Sequence, residues 1–312
     1  MRGRSLAGGD RIAVLPSTSV PSVSSLLGGF LELLPVAVVG GAYAKRAATL
    51  AARGAPVPPT RRVAFVSGLA LIVIALFSPI ADLADDLIWA HMIEHLLIGD
   101  LAALLLVLGL TGPLLQPILH VRGLHWLRTL SLPWVAFPLW AADLVFWHLP
   151  FLYDGVLEYP PLHALQHTCF VAFGILMWMP VFGPLPKPAW WRNAGPLAYV
   201  AIVRLFGTAF GNVLIWSGTA FYPGYADGEA AHHVAPLTDQ GIAGAIMMGE
   251  GMLVTLGVMV WLFIRAAREV EQRQRLLDLA DAHGFPLDER RAARAVAAGQ
   301  AALLEERIRA AG

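Results

Sequence analysis

The sequence predicts an all-α bundle of about seven membrane-spanning helices, N-terminus outside and C-terminus cytoplasmic, on three observations. The first is the scarcity of charge. Only 14% of residues are charged and 57% are hydrophobic, against about 25% charged and roughly 45–50% apolar in an ordinary soluble domain. With a mean hydropathy of +0.63 over 312 residues, polar groups could not cover the surface, so membrane is the default class. The second is that the apolar residues fall in runs of the ~20 residues needed to cross a ~30 Å hydrocarbon core. The third is that Lys and Arg collect in alternate connectors.

The runs lie at roughly 26–44, 62–80, 89–111, 131–149, 161–181, 196–220 and 239–264, separated by connectors such as 53–61 and 183–195. Three regions are expected: an extracytoplasmic tail over 1–25, a membrane domain over 26–264 and a cytoplasmic tail of one or two short amphipathic helices over 265–312. The first run contains Glu32 and Pro35. A cleaved signal peptide is the competing reading there, but 1–25 lacks the basic, apolar, small-residue order. One set of connectors holds Lys45, Arg46, Arg53, Arg61, Arg62, Arg122, Arg128, Lys187, Arg192, Arg265 and Arg268. The other set, 81–88, 150–160 and 221–238, has acids and no Lys or Arg. The positive-inside rule puts the basic set in the cytoplasm, with Arg2, Arg4 and Arg11 of the N-terminal tail dissenting.

Composition also excludes. With 22 basic and 22 acidic residues the formal net charge is zero, which gives a nucleic-acid partner no electrostatic support. The single cysteine, Cys169, rules out an intrachain disulfide and any CxxC metal site, so a bound metal would fall to histidine, methionine and carboxylate. No nucleophile motif, nucleotide loop or catalytic dyad is present, and the chain does not read as an enzyme.

Seven of the ten histidines map to the outer end of the predicted bundle. His91 and His95 open the third run as HMIEH, His148 closes the fourth as FWHLP, His163 and His167 open the fifth as HALQH, and His232 and His233 sit in the last outer loop. An i,i+4 pair shares one helix face, and ionisable groups at membrane depth normally face the bundle interior. Five imidazoles from three helices near one depth make a candidate metal or haem site at His91, His95, His148, His163 and His167. Imidazole suits copper, zinc and iron alike, so ligand type alone does not choose. A lone interfacial histidine is otherwise a headgroup anchor, and His232 and His233 read equally as solvated loop residues. Met92 offers a soft sulfur beside His91, as do Met247 and Met248 in the seventh run, although buried methionine is commonly packing filler.

Other polar residues lie deeper. Asp100 and Glu250 fall near the midplane, Asp143 before His148, and Arg204 in the inner half of the sixth run. A buried charge persists when paired, so Arg204 is expected to pair with Glu250 or Asp100, either as a structural ion pair or within a proton or cation path. Glu94 is a candidate to orient an imidazole.

Four ordered stretches, SPIADLADDLIWAHMIEHLLIGDLAALLLVLG, VFWHLPFLYDGVLEYPPLHALQHTCFVAFGILMWMPVFG, FYPGYA and LTDQGIAGAIMM, make residues 78–261 resemble the polytopic CtaG family of bacterial cytochrome c oxidase assembly factors. The resemblance implies a multi-pass protein of the bacterial plasma membrane, with cytochrome c oxidase subunits as partners and copper as the cargo. It also implies importance for His91, His95, His148, His163 and His167, and for Asp239 and Gln240. In GIAGAIMMGEG, Glu250 stands where the family pattern has an apolar or small residue. The competing reading is a haem-binding electron-transfer protein of the membrane, with a macrocycle seated opposite Gly174 and Ala164. A transporter working through Asp100, Glu250 and Arg204 would be expected to show an internal repeat, and none is visible.

Overall fold

In the computed structural model the described residues are 23–121, 127–185, 187, 191 and 195–311. The expectations on Arg2, Arg4, Arg11, Arg122 and Arg192, and on most of the 1–25 tail, fall outside them. The described chain is helical, with no strand among the described residues. Helix α1 covers Val23–Ala52, α2 Pro59–Leu76 and the short α3 Pro79–Ala84. Next come α4 (Ile88–Leu96), a π-helical turn (Leu97–Ala102) and α5 (Ala103–Gly109), which form one continuous span. After α6 (Gly112–His120) and α7 (Leu127–Leu130), α8 (Pro133–Trp147) and α9 (Pro150–Glu158) make a bent pair. The remainder is α10 (Pro160–Phe182), α11 (Gly195–Trp216), α12 (Ala226–Ala231), α13 (Pro236–Ala282), α14 (Glu289–Ala297) and α15 (Ala301–Ala311).

Among the described residues, five helices are long and apolar enough to cross a membrane, six if the bent pair α8–α9 counts as one. Large apolar side chains on their outward faces are bare, including Leu205, Trp216, Met252, Leu253 and Phe263. Such surface marks a site of contact with an apolar medium or partner, and a lipid bilayer supplies it on every side of a bundle. The chain is a multi-pass membrane protein.

Proline sets many of the boundaries. It stands in the first turn of α2, α3, α8, α9, α10 and α13, where its missing N–H costs nothing. A proline also drives the preceding residue out of helical conformation. Leu149, before Pro150, is extended, so α8 stops at His148 and the chain bends by 68° into α9. The expected short amphipathic tail helices begin later than the sequence suggests. Helix α13 runs unbroken from the membrane to Ala282, and α14 and α15 fold back on it around Leu276, Ala280, Leu304 and Ile308. Between 264 and 282 there is neither proline nor glycine to stop it.

Small residues let the spans approach closely. A Cβ on Gly174 of α10 would fall 1.9 Å from the Gly99 carbonyl oxygen in the π-turn, and one on Gly244 of α13 would fall 2.5 Å from the Gly211 carbonyl of α11. The first of these crossings corrects the haem expectation locally. The room imagined opposite Gly174 is filled by backbone.

Candidate metal centre

Helix α4 presents His91 and His95 one turn apart, α10 presents His163 and His167 in the same way, and the proline break leaves His148 capping α8. Packing of α10 against α8, the π-turn and α5, and of α4 against α13, directs these rings into the bundle. His91 is fully buried, and His95, His148 and His167 nearly so. Ligand atoms of His91, His163 and His167 all lie within 4.8 Å of one another. His95 joins through Nε2, 2.8 Å from Nε2 of His91. Two nitrogens bound to one ion at about 2.0–2.1 Å each, with a right-angled to tetrahedral angle between them, would sit roughly 2.8–3.4 Å apart. His148 lies to one side, its ring 6.4 Å from that of His95.

The Nδ1 atoms of His91, His148 and His167 are already committed. His91 Nδ1 meets Tyr225 Oη at 2.9 Å and the Ala84 carbonyl at 3.3 Å, His148 Nδ1 donates to the Leu144 carbonyl at 2.7 Å, and His167 Nδ1 meets Glu32 Oε1 at 3.1 Å. A carbonyl or carboxylate on one ring nitrogen orients a ligating histidine and leaves the other nitrogen's lone pair free. The Nε2 atoms of His148, His163 and His167 are buried without any hydrogen-bond partner. Buried polar atoms are nearly always paired. The unpartnered Nε2 atoms of His163 and His167, beside the ring nitrogens of His91, are a donor set that could hold a late first-row metal ion, while the Nε2 of His148 lies apart from them.

Several of these contacts lie beyond what spacing could reveal. Glu32, which interrupts the first apolar run, is the partner of His167. Tyr153 and Tyr225, both buried, lie beside His91, one ring tilted and the other edge-on, with ring centroids 5.2 and 6.3 Å away. Gln166 is fully buried with neither amide atom partnered. Their only sequence signal is a polar residue inside or beside an apolar run.

The Asp-Gln pair acts through structure. Both Asp239 oxygens accept backbone N–H groups at the start of α4, Oδ2 from Ile88 and Oδ1 from Trp89, each at 2.9 Å. Asp239 is therefore a cap supplied by a distant helix, and it fixes the N-terminus of the helix that bears His91 and His95. Gln240 Oε1 accepts from Phe221 N at 2.8 Å, and Nε2 donates to the Leu214 carbonyl, Ser217 Oγ and the Thr219 carbonyl. This ties down the chain leading to Tyr222 and Tyr225. Tyr222 in turn donates to the His148 carbonyl at 3.1 Å.

The remaining expected residues divide. Asp100 of the π-turn is bonded to Arg204 and, at 2.9 Å, to Trp178 Nε1, while Glu250 Oε2 lies 3.7 Å from Arg204. These charges form a buried network away from the triad. Glu94 is buried, with Glu32 and Asp85 as its electrostatic neighbours. Asp143 is buried with Oδ2 unpartnered. Met92 is buried and lines a cavity with His95 and His148. His232 and His233 are exposed at the turn after α12, where His232 pairs with Asp86 at 3.1 Å. Neither has a ring contact with the histidine cluster among the described residues.

Comparison with known proteins adds a family. The family model described as cytochrome c oxidase caa3 assembly factor (Caa3_CtaG) matches residues 41–269. Two curated relatives, an uncharacterized protein of Mycobacterium bovis and another of Mycobacterium tuberculosis, are each 27% identical over 258 residues, covering 77% of this chain. That alignment covers 39% of each relative, so the chain spans about two fifths of their length. No solved structure matches.

Proposed function

Since the chain belongs to the cytochrome c oxidase caa3 assembly factors, which assemble an enzyme rather than act as one, we propose that it receives a copper ion at His91, His163 and His167 and hands it to a cytochrome c oxidase subunit. The handover takes place in the bacterial plasma membrane, with the histidine end facing outward. The observation that carries the reading is the convergence of three imidazoles within 4.8 Å, with Nε2 of His163 and His167 left unpartnered. Copper fits because imidazole is among its favoured ligands. Asp239, Gln240 and Glu32 then serve as positioning residues that hold α4, the tyrosine-bearing loop and the His167 ring in place.

The acidic connectors support the orientation. Asp86 and Asp154 sit at this end of the bundle, where they contact His232 and the Gly224 N–H. At the opposite end Arg46 and Arg61 donate to the carbonyls of Pro113 and Leu108. That distribution matches basic residues inside and acidic residues outside.

The test is copper content per chain of detergent-purified protein, wild type against His163→Ala/His167→Ala, with thermal melting as a check on folding. The double variant is expected to lose one equivalent of copper while still melting cooperatively. Full copper occupancy in a folded double variant would overturn the assignment.

A further inference from the structure

Beside the triad, toward the Arg204 network, lies a partly open cavity of about 70 Å³ lined by Met92, His95, His148 and Met247 and reaching Asp100. That is several times the ~10–15 Å³ that one water requires. Its donors are imidazole nitrogen and thioether sulfur. In the neutral ring His148 Nδ1 donates to Leu144 O and Nε2 carries the lone pair, and that atom is buried without a partner. His95 turns Nε2 toward His91 and leaves Nδ1 buried and unpartnered. The two histidines are 5% and 6% exposed, and Met92 and Met247 are 1% and 9% exposed. The carboxylate at the rim is not free to bind, because Asp100 is already held by Arg204 and Trp178.

Two neutral imidazoles and two thioethers form a soft, uncharged donor set. Thioether sulfur selects Cu(I), whereas carboxylate and water ligands select harder ions. We propose that this cavity is a second cation site, built from His95, His148, Met92 and Met247 and taking Cu(I), with His95 standing between it and the triad. The proposal deepens the copper-holding reading and shares that reading's choice of metal, but His91, His163 and His167 are not among its donors, and His95, which meets the triad through Nε2, enters this site through Nδ1.

Anaerobic titration of the full-length protein in detergent with Cu(I), against a chromophoric Cu(I) chelator, counts the sites, and copper X-ray absorption reports sulfur ligands. Wild type should bind two equivalents and show a sulfur shell. Met92→Leu/Met247→Leu keeps side-chain volume nearly constant, and should bind one equivalent with no sulfur shell. His163→Ala/His167→Ala should also bind one equivalent, but with the sulfur shell retained. If the leucine pair fails to fold, Met247→Leu alone should roughly halve the sulfur amplitude. Absence of sulfur scattering in wild type, or two equivalents retained in the leucine variant, would sink the second site. A leucine variant that loses one equivalent while the triad variant keeps both would instead defeat the triad and leave this site standing.

Discussion

Asp239→Ala is the most direct probe of how the fold positions the histidines. The carboxylate is fully buried and accepts two backbone N–H groups, each at 2.9 Å, at the first turn of α4. Hydrogen bonds to charged groups contribute about 1.5–3 kcal/mol each, and loss of a helix N-cap costs roughly 0.5–2 kcal/mol. Removing both bonds while leaving two buried donors bare should therefore cost about 2–4 kcal/mol. At ~2–4 °C per kcal/mol for a domain of this size class, Tm should fall by about 5–15 °C. Asp239→Asn keeps one acceptor oxygen and should lose about half as much. Because His91 lies only one turn into α4, copper occupancy of the triad should fall with it. Thermal melting and copper analysis on the same detergent preparations give both readouts. The capping argument fails if Asp239→Ala melts within about 2 °C of wild type, or if asparagine is no better than alanine.

Other substitutions probe the rest of the frame. Arg204→Met strands the buried Asp100 carboxylate and should destabilise by about 3–5 kcal/mol, while Arg204→Met/Asp100→Asn should recover most of the loss; simple additivity of the two single effects in a double-mutant cycle would contradict the pairing. In the 183–195 connector, partial desolvation and then repulsion from Arg265 lower the Lys187 ammonium to about 8. Its folded value thus lies below the ~10.4 of an unperturbed lysine. Between those values the unfolded chain binds more protons, so stability should climb as pH rises from about 8 toward 10 and stay level below 8. Melting curves for Lys187→Met should lack this climb, and a wild type that shows none would refute the assignment.

How the residues divide between legible and hidden follows from the range of the forces involved. HMIEH and HALQH announce shared helix faces because α-helical geometry is local, and FWHLP announces a helix end because proline acts on the residue before it. Depth in the membrane is equally local, since hydropathy accumulates along the chain. The bend of α8 into α9 and the unbroken course of α13 were harder to read. A helix with no breaker continues through a change from lipid to water that composition alone marks as a boundary.

From the sequence alone came the membrane class, most of the spans and the gathering of histidines at one end. Tertiary structure decided which imidazoles converge and what holds them. It brings Glu32 to His167 across 135 residues and Asp239 to Ile88 across 151. It also closes the space at Gly174 with the Gly99 carbonyl and leaves His148 beside a methionine-lined cavity. No periodicity encodes such pairings. They arise when apolar helix faces and small residues settle the crossings of whole helices, and only then do distant polar atoms find, or lack, their partners.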